Sequence, residues 1–281
     1  MPEHKQLNYL TAALKMGKTN RLKNFTANIS IFIDKKNFVV KTANSPQELH
    51  EALMLRHDVF LTELLKRKKK SGVDKDRFDK TCDHLIIIDK RINRIIGTYR
   101  LQSSLHTKKW YTATEFHMRQ IKKLPGNKLE LGRACVHPEY RNGVTISLLW
   151  EGINAYIAAS ESSYLFGCSS IKTMDKEEIK QIYYYLKQNG HILDEHRVRP
   201  KNKFRVPGLK KQVHRQPVQI HPIEHQLMKG KIPSLLASYL KVGAKVCGIP
   251  ALDKSFKCID FLTLMNVADI AEAYKRNHTP D

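Results

Sequence analysis

Residues 130–143 read Glu130-Leu-Gly-Arg-Ala-Cys-Val-His-Pro-Glu-Tyr-Arg-Asn-Gly143. The stretch Leu129 to Val136 predicts a strand, which His137-Pro138 ends because proline has no N–H to donate. Behind the turn, apolar residues share one face of a predicted amphipathic helix: Ile146, Leu149, Trp150, Ile153 and Ile157. Residues 130–143 thus join a strand to a helix through the turn Arg141-Asn142-Gly143.

A loop that leads into a helix presents unpaired backbone N–H groups and the positive end of the helix dipole. These groups suit a phosphate, so we expect Arg141, Asn142 and Gly143 to bind a phosphate-bearing ligand. Taken alone, however, an Arg-Asn-Gly turn is also an ordinary surface turn.

Upstream, Ser45-Pro46-Gln47-Glu48 is typical of a helix start, with a capping serine, an early proline and a following glutamate. On that helix Leu49, Leu53, Arg56 and Phe60 recur at steps of four, three and four, which places them on one face. A guanidinium on such a stripe must be paired or hydrated. The nearby Asp74-x-Asp76-x-x-Asp79 supplies the expected partners, and the combination indicates the wall of an active site.

The remaining patterns predict alternating strands and helices. A strand at Phe38–Val40 precedes the capped helix, and a hairpin is expected from 84–88 and 95–101. A strand at 164–168 and a helix at 176–188 follow the segment described above. We divide the chain into an N-terminal extension (1–36), an α/β core (37–190) and a C-terminal segment packing on the core (191–281). Residues 191–230 lack clear periodicity and are expected to form a connection.

Composition limits the functional classes. The 281 residues include 41% hydrophobic and 27% charged residues, which is typical of a globular protein. The net charge of +22 implies an acidic partner, which could be nucleic acid, anionic lipid or an acidic protein. Lys66 to Lys70 is a continuous basic run, either a solvated loop or a docking patch for such a partner. No apolar run is long enough to span a membrane. The five cysteines form no C-x-x-C pair, so no metal and no disulfide is predicted.

The order of predicted elements is that of an acetyltransferase-type α/β domain: a mixed sheet flanked by helices, with a C-terminal extension. The charged residues resemble the pattern of acyl-homoserine-lactone synthases, although the tryptophan that those enzymes carry after the phenylalanine is missing. A closer resemblance is to the hemolysin-like acyltransferases that include ornithine lipid synthases. It covers residues 38–270, and its motifs are Arg56-His-Asp-Val-Phe60, Asp83-His84-Leu85, Gly97-Thr-Tyr-Arg100-Leu101, residues 130–141, Leu148-Leu-Trp150, Tyr239-Leu-Lys-Val-Gly-Ala244, Pro250-Ala-Leu-Asp253, Phe256 and Ile259-Asp-Phe-Leu-Thr-Leu264.

This resemblance implies transfer of a 3-hydroxy fatty acyl group from acyl carrier protein to the α-amine of ornithine or another amino acid. The product would be a lyso-aminolipid. The co-substrate would be the phosphopantetheine thioester of the acidic carrier protein, with no tightly bound cofactor. We expect a cytoplasmic protein in peripheral contact with the anionic inner leaflet of the membrane, which agrees with its positive charge.

Each charged candidate has two interpretations. Glu130 could be the general base for the attacking amine, or it could pair with Arg100 or Arg133. A flat strand would put Glu130 and Arg133 on opposite faces, so a shared site requires a bulge near Gly132. Arg100 and Arg133 could bind the donor thioester or its phosphate. Asp76 and Asp79 could recognise the acceptor's ammonium group, but at least one of them is expected to brace Arg56.

Two alternatives to this function stay open from the sequence alone. One is a lactone-forming synthase, which would use S-adenosylmethionine as its acceptor. The other is a basic nucleic-acid-binding protein with an inactive acetyltransferase fold. The dispersed basic residues and the absence of an aromatic-interleaved basic stripe disfavour nucleic acid as a partner.

Overall fold

The computed structural model describes residues 24–193, 195–196, 198–215 and 222–270. The expectations for residues 1–23 lie outside this range. The described residues form nine strands: β1 (Phe32–Asp34), β2 (Phe38–Thr42), β3 (Asp83–Asp89), β4 (Arg94–Ser103), β5 (Asn127–Val136), β6 (Ser162–Ile171), β7 (Lys245–Val246), β8 (Ala251–Asp253) and β9 (Cys258–Asn266). The α-helices are α1 (Pro46–Arg56), α2 (Arg119–Lys123), α3 (Gly143–Ser160), α4 (Lys176–Gln188), α5 (Leu209–Arg215), α6 (Pro222–Lys231) and α7 (Ser234–Lys241).

The chain divides into two compact units. The first contains the residues up to Leu101 together with Arg133–Ala159, and the second contains Gln102–Gly132 and the residues from Ser160 onward. Strands β4 and β5 therefore each contribute residues to both units. None of the helices in the described part of the chain combines the length and apolar character needed to cross a bilayer.

In the first unit, β1 to β4 form consecutive antiparallel pairs. The predicted hairpin is confirmed, with Asp83 opposite Leu101 and Asp89 opposite Arg94. Strand β1 lies inside the predicted N-terminal extension, where it pairs with β2 along the sheet edge.

Helices cover both faces of these strands. Leu49 and Leu53 of α1 pack in a buried cluster with Ile86. On α3, a Cβ added at Gly152 would come within 2.7–2.8 Å of the Val40 and Leu85 side chains. Neighbouring residues of a strand point to opposite faces, so α1 and α3 lie on opposite sides of β3.

The start of α1 follows from its sequence. Ser45 Oγ accepts from the backbone N–H of Glu48 at 3.2 Å, and Glu48 in turn accepts from the Asn44 N–H at 2.7 Å. The periodicity predicts a continuous α-helix through Phe60, but the chain winds into a π-helix over His57–Leu64. Phe60 therefore does not continue the α-helical stripe. It lies in the π-helix, half-buried against the apolar cluster of α1.

The second unit contains both kinds of strand pairing. Strand β5 runs parallel to β6 from Asn127↔Ser162 to Glu130↔Phe166, and β6 pairs antiparallel with β9 along its length. A Cβ added at Gly167 would overlap the carbonyl oxygen of Leu131, so glycine lets β5 and β6 approach closely. The strands of this unit are therefore mixed in direction, as predicted.

The segment 191–230 differs from its predicted form. It contains two helices, α5 and α6, where the sequence indicated a connection without regular structure. Leu209 and Val213, four residues apart on α5, are buried, and so is Met228 on α6. These helices are too short for their apolar spacing to stand out from a basic background, and packing stabilises them.

Candidate functional site

Arg56 is the centre of a buried ion-pair cluster in the first unit. It is fully buried at the end of α1, where the apolar stripe places it. Its Nε and Nη2 donate to one oxygen of Asp74 at 3.0 and 2.8 Å, and its Nη1 donates to Asp79 at 2.7 Å. The expected pairing with the aspartates is therefore present, and Arg56 holds the segment after the π-helix against α1.

The same cluster includes Asp76, Arg100 and Arg133. Arg100 on β4 donates to Asp76 at 2.7 Å and to Asp79 at 3.1 Å, and Arg133 on β5 donates to Asp76 at 3.4 Å. The exposed side-chain fractions are 3% for Arg100, 15% for Arg133 and 25% for Asp76. Within this cluster, Arg133 and Asp76 are more accessible to a ligand than Arg100.

Burial and charge act against each other at Asp79. Burial alone would raise the pKa of its carboxyl group, but the charges of Arg56 and Arg100 outweigh that effect and hold the pKa well below its usual range. Burial of the Arg100 guanidinium would lower its pKa, but the charges of Asp76 and Asp79 outweigh that effect and raise it. Asp79 and Arg100 are therefore both charged at neutral pH, and Asp79 acts as a brace.

Two buried residues of the resemblance motifs, His84 and Cys135, are ill suited to proton transfer or nucleophilic attack. His84 is fully buried on β3, and burial lowers its pKa to about 4, so its ring is neutral near pH 7. Burial raises the pKa of the Cys135 thiol to about 12. Because a reactive cysteine needs its thiolate form, Cys135 is unsuited to act as a nucleophile.

Glu130 lies in the second unit, on the part of β5 that pairs with β6. It is almost completely buried, and its two carboxylate oxygens accept from the backbone N–H groups of Tyr111 and Thr112 at 2.8 and 2.6 Å. These bonds fix the carboxylate in one orientation. Backbone donors have no residue signature, so the sequence could not identify Tyr111 and Thr112 as partners of Glu130.

Arg133 departs from regular strand geometry. Its φ of 54° lies in the left-handed region, which non-glycine residues seldom adopt. A strand residue in this conformation is characteristic of a β-bulge. This unusual backbone conformation lies beside Gly132, near which the sequence analysis placed a bulge.

The turn before α3 is built by capping and by an ion pair. Asn142 Oδ1 accepts from the Thr145 N–H at 3.0 Å and so caps the helix. Arg141 donates through both terminal nitrogens to Glu63 of the π-helix, each at 2.6 Å, and through Nε to the Val136 carbonyl. Arg141 and Gly143 are exposed, but the guanidinium of Arg141 is engaged by Glu63, so backbone N–H groups are the donors best placed for a phosphate.

The second unit also contains a cluster of three buried carboxyl groups that the sequence analysis did not predict. Glu115, Asp253 and Asp260 bring one oxygen each within 4.8 Å of one another. This spacing would suit either a bound cation or a shared proton. Burial, with the charges of Asp260 and Asp253, raises the pKa of Glu115 to about 8, so without a cation Glu115 holds a proton near neutral pH.

The site residues thus fall into two sets. Arg56, Asp76, Asp79, Arg100 and Arg133 meet in the ion-pair cluster of the first unit. Glu130 lies in the second unit, where its carboxylate accepts hydrogen bonds from backbone N–H groups. It precedes Arg133 on β5 by three residues. In the second unit, the fixed carboxylate could deprotonate an amine. In the first unit, the accessible arginine–aspartate pair could bind groups of opposite charge.

Comparison with known proteins identifies the domain. A model for the acetyltransferase (GNAT) domain matches residues 55–151, and the predicted acetyltransferase-type fold is thereby confirmed. A protein of Rhizobium meliloti (strain 1021) named L-ornithine N(alpha)-acyltransferase is 30% identical over 262 residues, covering 87% of this chain and 85% of its own length. A Brucella abortus (strain 2308) protein of the same name is 30% identical over 249 residues, covering 84% of this chain and 86% of its own.

Solved structures that resemble this chain are more distant. One is a CoA-dependent acyl-homoserine lactone synthase, BjaI, with SAM and isopentyl-CoA: 14% identical, TM-score 0.44, covering 83% of each chain. Another is FeeM, an N-acyl amino acid synthase from uncultured soil microbes: 9% identical, TM-score 0.46, covering 85% of this chain and 96% of its own.

Proposed function

Because this chain belongs to the L-ornithine N(alpha)-acyltransferase family and is an acyltransferase, we propose that it moves a 3-hydroxy fatty acyl group from acyl carrier protein to the α-amine of ornithine. The observation that carries the proposal is the 30% identity over 87% of the chain, which extends well beyond the acetyltransferase domain. The product is a lyso-aminolipid, and the leaving group is the free thiol of the phosphopantetheine arm.

The proposed reaction needs a free amine and a polarised thioester. The ammonium group of the acceptor first loses a proton to the Glu130 carboxylate, directly or through a water molecule. The amine nitrogen then bonds to the thioester carbonyl carbon, and the C–S bond breaks. The nitrogen releases its second proton to become an amide, and the leaving thiolate takes up that proton. The bonds from Tyr111 and Thr112 hold the Glu130 carboxylate in place for this task.

The ion-pair cluster supplies binding groups in this proposal. Asp76 has the most accessible carboxylate of the cluster and attracts a cationic group of the acceptor. Arg133, the more accessible arginine, binds the donor thioester or its phosphate. Arg56 and Asp79 position these two side chains, whereas Arg100 is almost fully committed to the aspartates.

The remaining donor contacts lie at the start of α3. The backbone N–H groups at Gly143 and Val144 bind the phosphate of the phosphopantetheine arm, and the Asn142 cap keeps them oriented. The net charge of +22 attracts the acidic carrier protein and the anionic inner leaflet that receives the product.

The test is a direct assay of product. Purified protein is incubated with 3-hydroxyacyl carrier protein and separate amino acids, and N-acylated products are identified by mass spectrometry. We expect acylornithine, and loss of at least 100-fold in kcat for Glu130→Ala because a general base contributes about 10²–10⁴-fold. Arg133→Ala should raise KM for the donor. The exposed Glu224→Ala is the matched control and should leave the rate unchanged.

Several results would reject parts of this proposal. Full activity of the combined Glu130→Ala and Arg133→Ala protein would remove both from the mechanism, and circular dichroism establishes that each variant is folded. Product formed only with S-adenosylmethionine would identify a lactone-type synthase. No product with any acceptor, together with tight nucleic-acid binding at physiological salt, would favour the binding-protein alternative.

A further inference from the structure

The segment between the π-helix and β3 has an unusual charge distribution. We call residues 66–80 the basic segment. Its cationic residues are Lys66, Arg67, Lys68, Lys69, Lys70, Lys75, Arg77 and Lys80. It also contains three carboxylates, those of Asp74, Asp76 and Asp79. From sequence alone, these carboxylates could neutralise the neighbouring lysines.

The structure instead separates the two signs of charge. Asp74 and Asp79 are buried and pair with Arg56, while Asp76 pairs with Arg100 and Arg133. These three arginines all lie outside the basic segment. The basic run at Lys66–Lys70 is exposed, as are Arg77 and Lys80. The carboxylates therefore neutralise arginines of α1, β4 and β5, and the outer side of the segment keeps its positive charge.

Resting on the proposed function, we infer that the outer side of the basic segment is the docking surface for the acidic acyl carrier protein. Opposite charges on two proteins steer their encounter and fix their orientation. Leu64 ends the π-helix two residues before the segment; it is 45% exposed and adds an apolar contact. Protein interfaces combine such apolar contacts with arginine and a charged rim.

The inner side of the segment explains why the donor protein is the partner. Asp76 accepts from the Phe78 N–H at 2.8 Å, and the Asp76 N–H donates to Asp79 at 2.7 Å. One short loop thus presents cations outward and holds Asp76 beside Arg133 inward. A carrier protein bound to the outer side would dock on the same loop that positions the groups assigned to the substrates.

An anionic lipid surface is the competing partner, and it would act through charge alone. The large hydrophobic side chains that are exposed in the described part of the chain include none within 66–80. A segment that inserts into the membrane interface needs a broad apolar face. The structure therefore favours a protein partner for this surface.

The test reverses charge on the outer side without touching the ion-pair cluster. The variant Lys68→Glu/Lys70→Glu is compared with Lys210→Glu/Lys211→Glu, which changes two exposed lysines of α5 and gives the same net charge. Each protein is assayed with acyl carrier protein thioester and with the matching acyl-pantetheine, which has neither protein nor phosphate. For the first variant we expect kcat/KM to fall at least about tenfold with the carrier-protein donor at low salt, and less at high salt.

With acyl-pantetheine, the kcat/KM of both variants should stay within about twofold of the wild type, and the α5 variant should keep its activity with both donors. Equal losses in the two variants would assign the effect to bulk charge and overturn the docking surface. Equal losses with the two donors would overturn it too. So would unchanged kinetics with reduced binding to vesicles of anionic phospholipid, because the surface would then be a lipid contact.

Failure of the proposed function has a different signature. If the wild-type protein forms no product with either donor, the acyl-transfer proposal falls. Binding of fluorescently labelled acyl carrier protein then still tests the docking surface. Weaker binding by Lys68→Glu/Lys70→Glu than by the α5 variant supports it, and equal binding by the two variants rejects it.

Discussion

Asp79→Asn is the sharpest test of the buried ion-pair cluster, because it removes one charge with little change in shape. Asp79 is fully buried and accepts four hydrogen bonds: two from Arg56 at 2.7 and 3.4 Å, one from Arg100 at 3.1 Å and one from the Asp76 N–H at 2.7 Å. The asparagine amide keeps one acceptor oxygen but turns its NH₂ group toward guanidinium donors. Arg56 would keep Asp74, and Arg100 would keep Asp76.

The expected loss in the free energy of unfolding is about 3 kcal/mol at pH 7. Removing one partner of a buried ion pair costs about 3–5 kcal/mol, because the remaining charge stays buried and uncompensated. The lower end applies here, since each arginine retains a second carboxylate. The loss is a large share of the roughly 5–15 kcal/mol that stabilises a folded domain. We therefore expect a folded but weakened protein.

The pH dependence separates this mechanism from simple loss of packing. The pKa of Asp79 in the folded protein is depressed below its ordinary value of 3.8 by Arg56 and Arg100, against the effect of burial. A depressed carboxyl pKa contributes stability that is present above pH 3.8 and lost as the pH falls through the folded value. The gap between wild type and Asp79→Asn should therefore be constant near neutrality and narrow below about pH 4.

Urea unfolding followed by circular dichroism measures this gap. Asp58→Asn is the matched control, because that carboxylate is 60% exposed on the π-helix and contacts His57 alone among the described ion pairs. Its effect should stay within about 0.5 kcal/mol. A gap below about 1 kcal/mol for Asp79→Asn, or a gap that does not change with acid, would refute the assigned role of the cluster.

Two further substitutions test the second unit. Glu115 has its pKa raised to about 8 by burial and by Asp260 and Asp253, so the wild-type protein should lose roughly 1.4 kcal/mol of stability per pH unit between pH 4.5 and 8. In Glu115→Gln this slope should disappear, and urea unfolding at pH 5 and pH 8 measures it. Gly167→Ala should lower the unfolding free energy by about 3 kcal/mol, because the new methyl group overlaps the Leu131 carbonyl oxygen. Gly230→Ala on α6 meets nothing within 4 Å and should not destabilise, as a thermal melt will show.

Local signals made much of the first unit predictable. The Ser45 cap, the step pattern of α1 and the alternation in the β3–β4 hairpin each depend on residues close in sequence. The buried guanidinium of Arg56 could be inferred because a charge on an apolar stripe demands partners, and the aspartates follow soon after. The π-helix at His57–Leu64 could not be predicted, because its 8 residues are too few to show an apolar period different from that of an α-helix.

Partners that are distant in sequence were beyond prediction. Glu115 meets Asp253 and Asp260 only because β8 and β9 pair, with Ala251 opposite Asp260. The sequence suggested arginines as the partners of Glu130. In the structure its carboxylate accepts from backbone N–H groups, which no residue type reveals. The helices α5 and α6 were missed because their burial depends on packing rather than on a long periodic pattern.

The burial of the charged residues also separates folding requirements from chemistry. Arg56 and Asp79 have no surface to offer a ligand. Two hydrogen bonds join them to each other, and both also bond to neighbouring charged residues, as expected of a brace. Asp76 and Arg133 keep part of their side chains exposed while sharing that brace. A substitution of Arg56 should therefore lower stability and activity together, whereas Arg133→Ala should change the kinetic constants with a smaller loss of stability. That contrast would place the chemistry on β5 and assign α1 the task of holding the acidic loop in position.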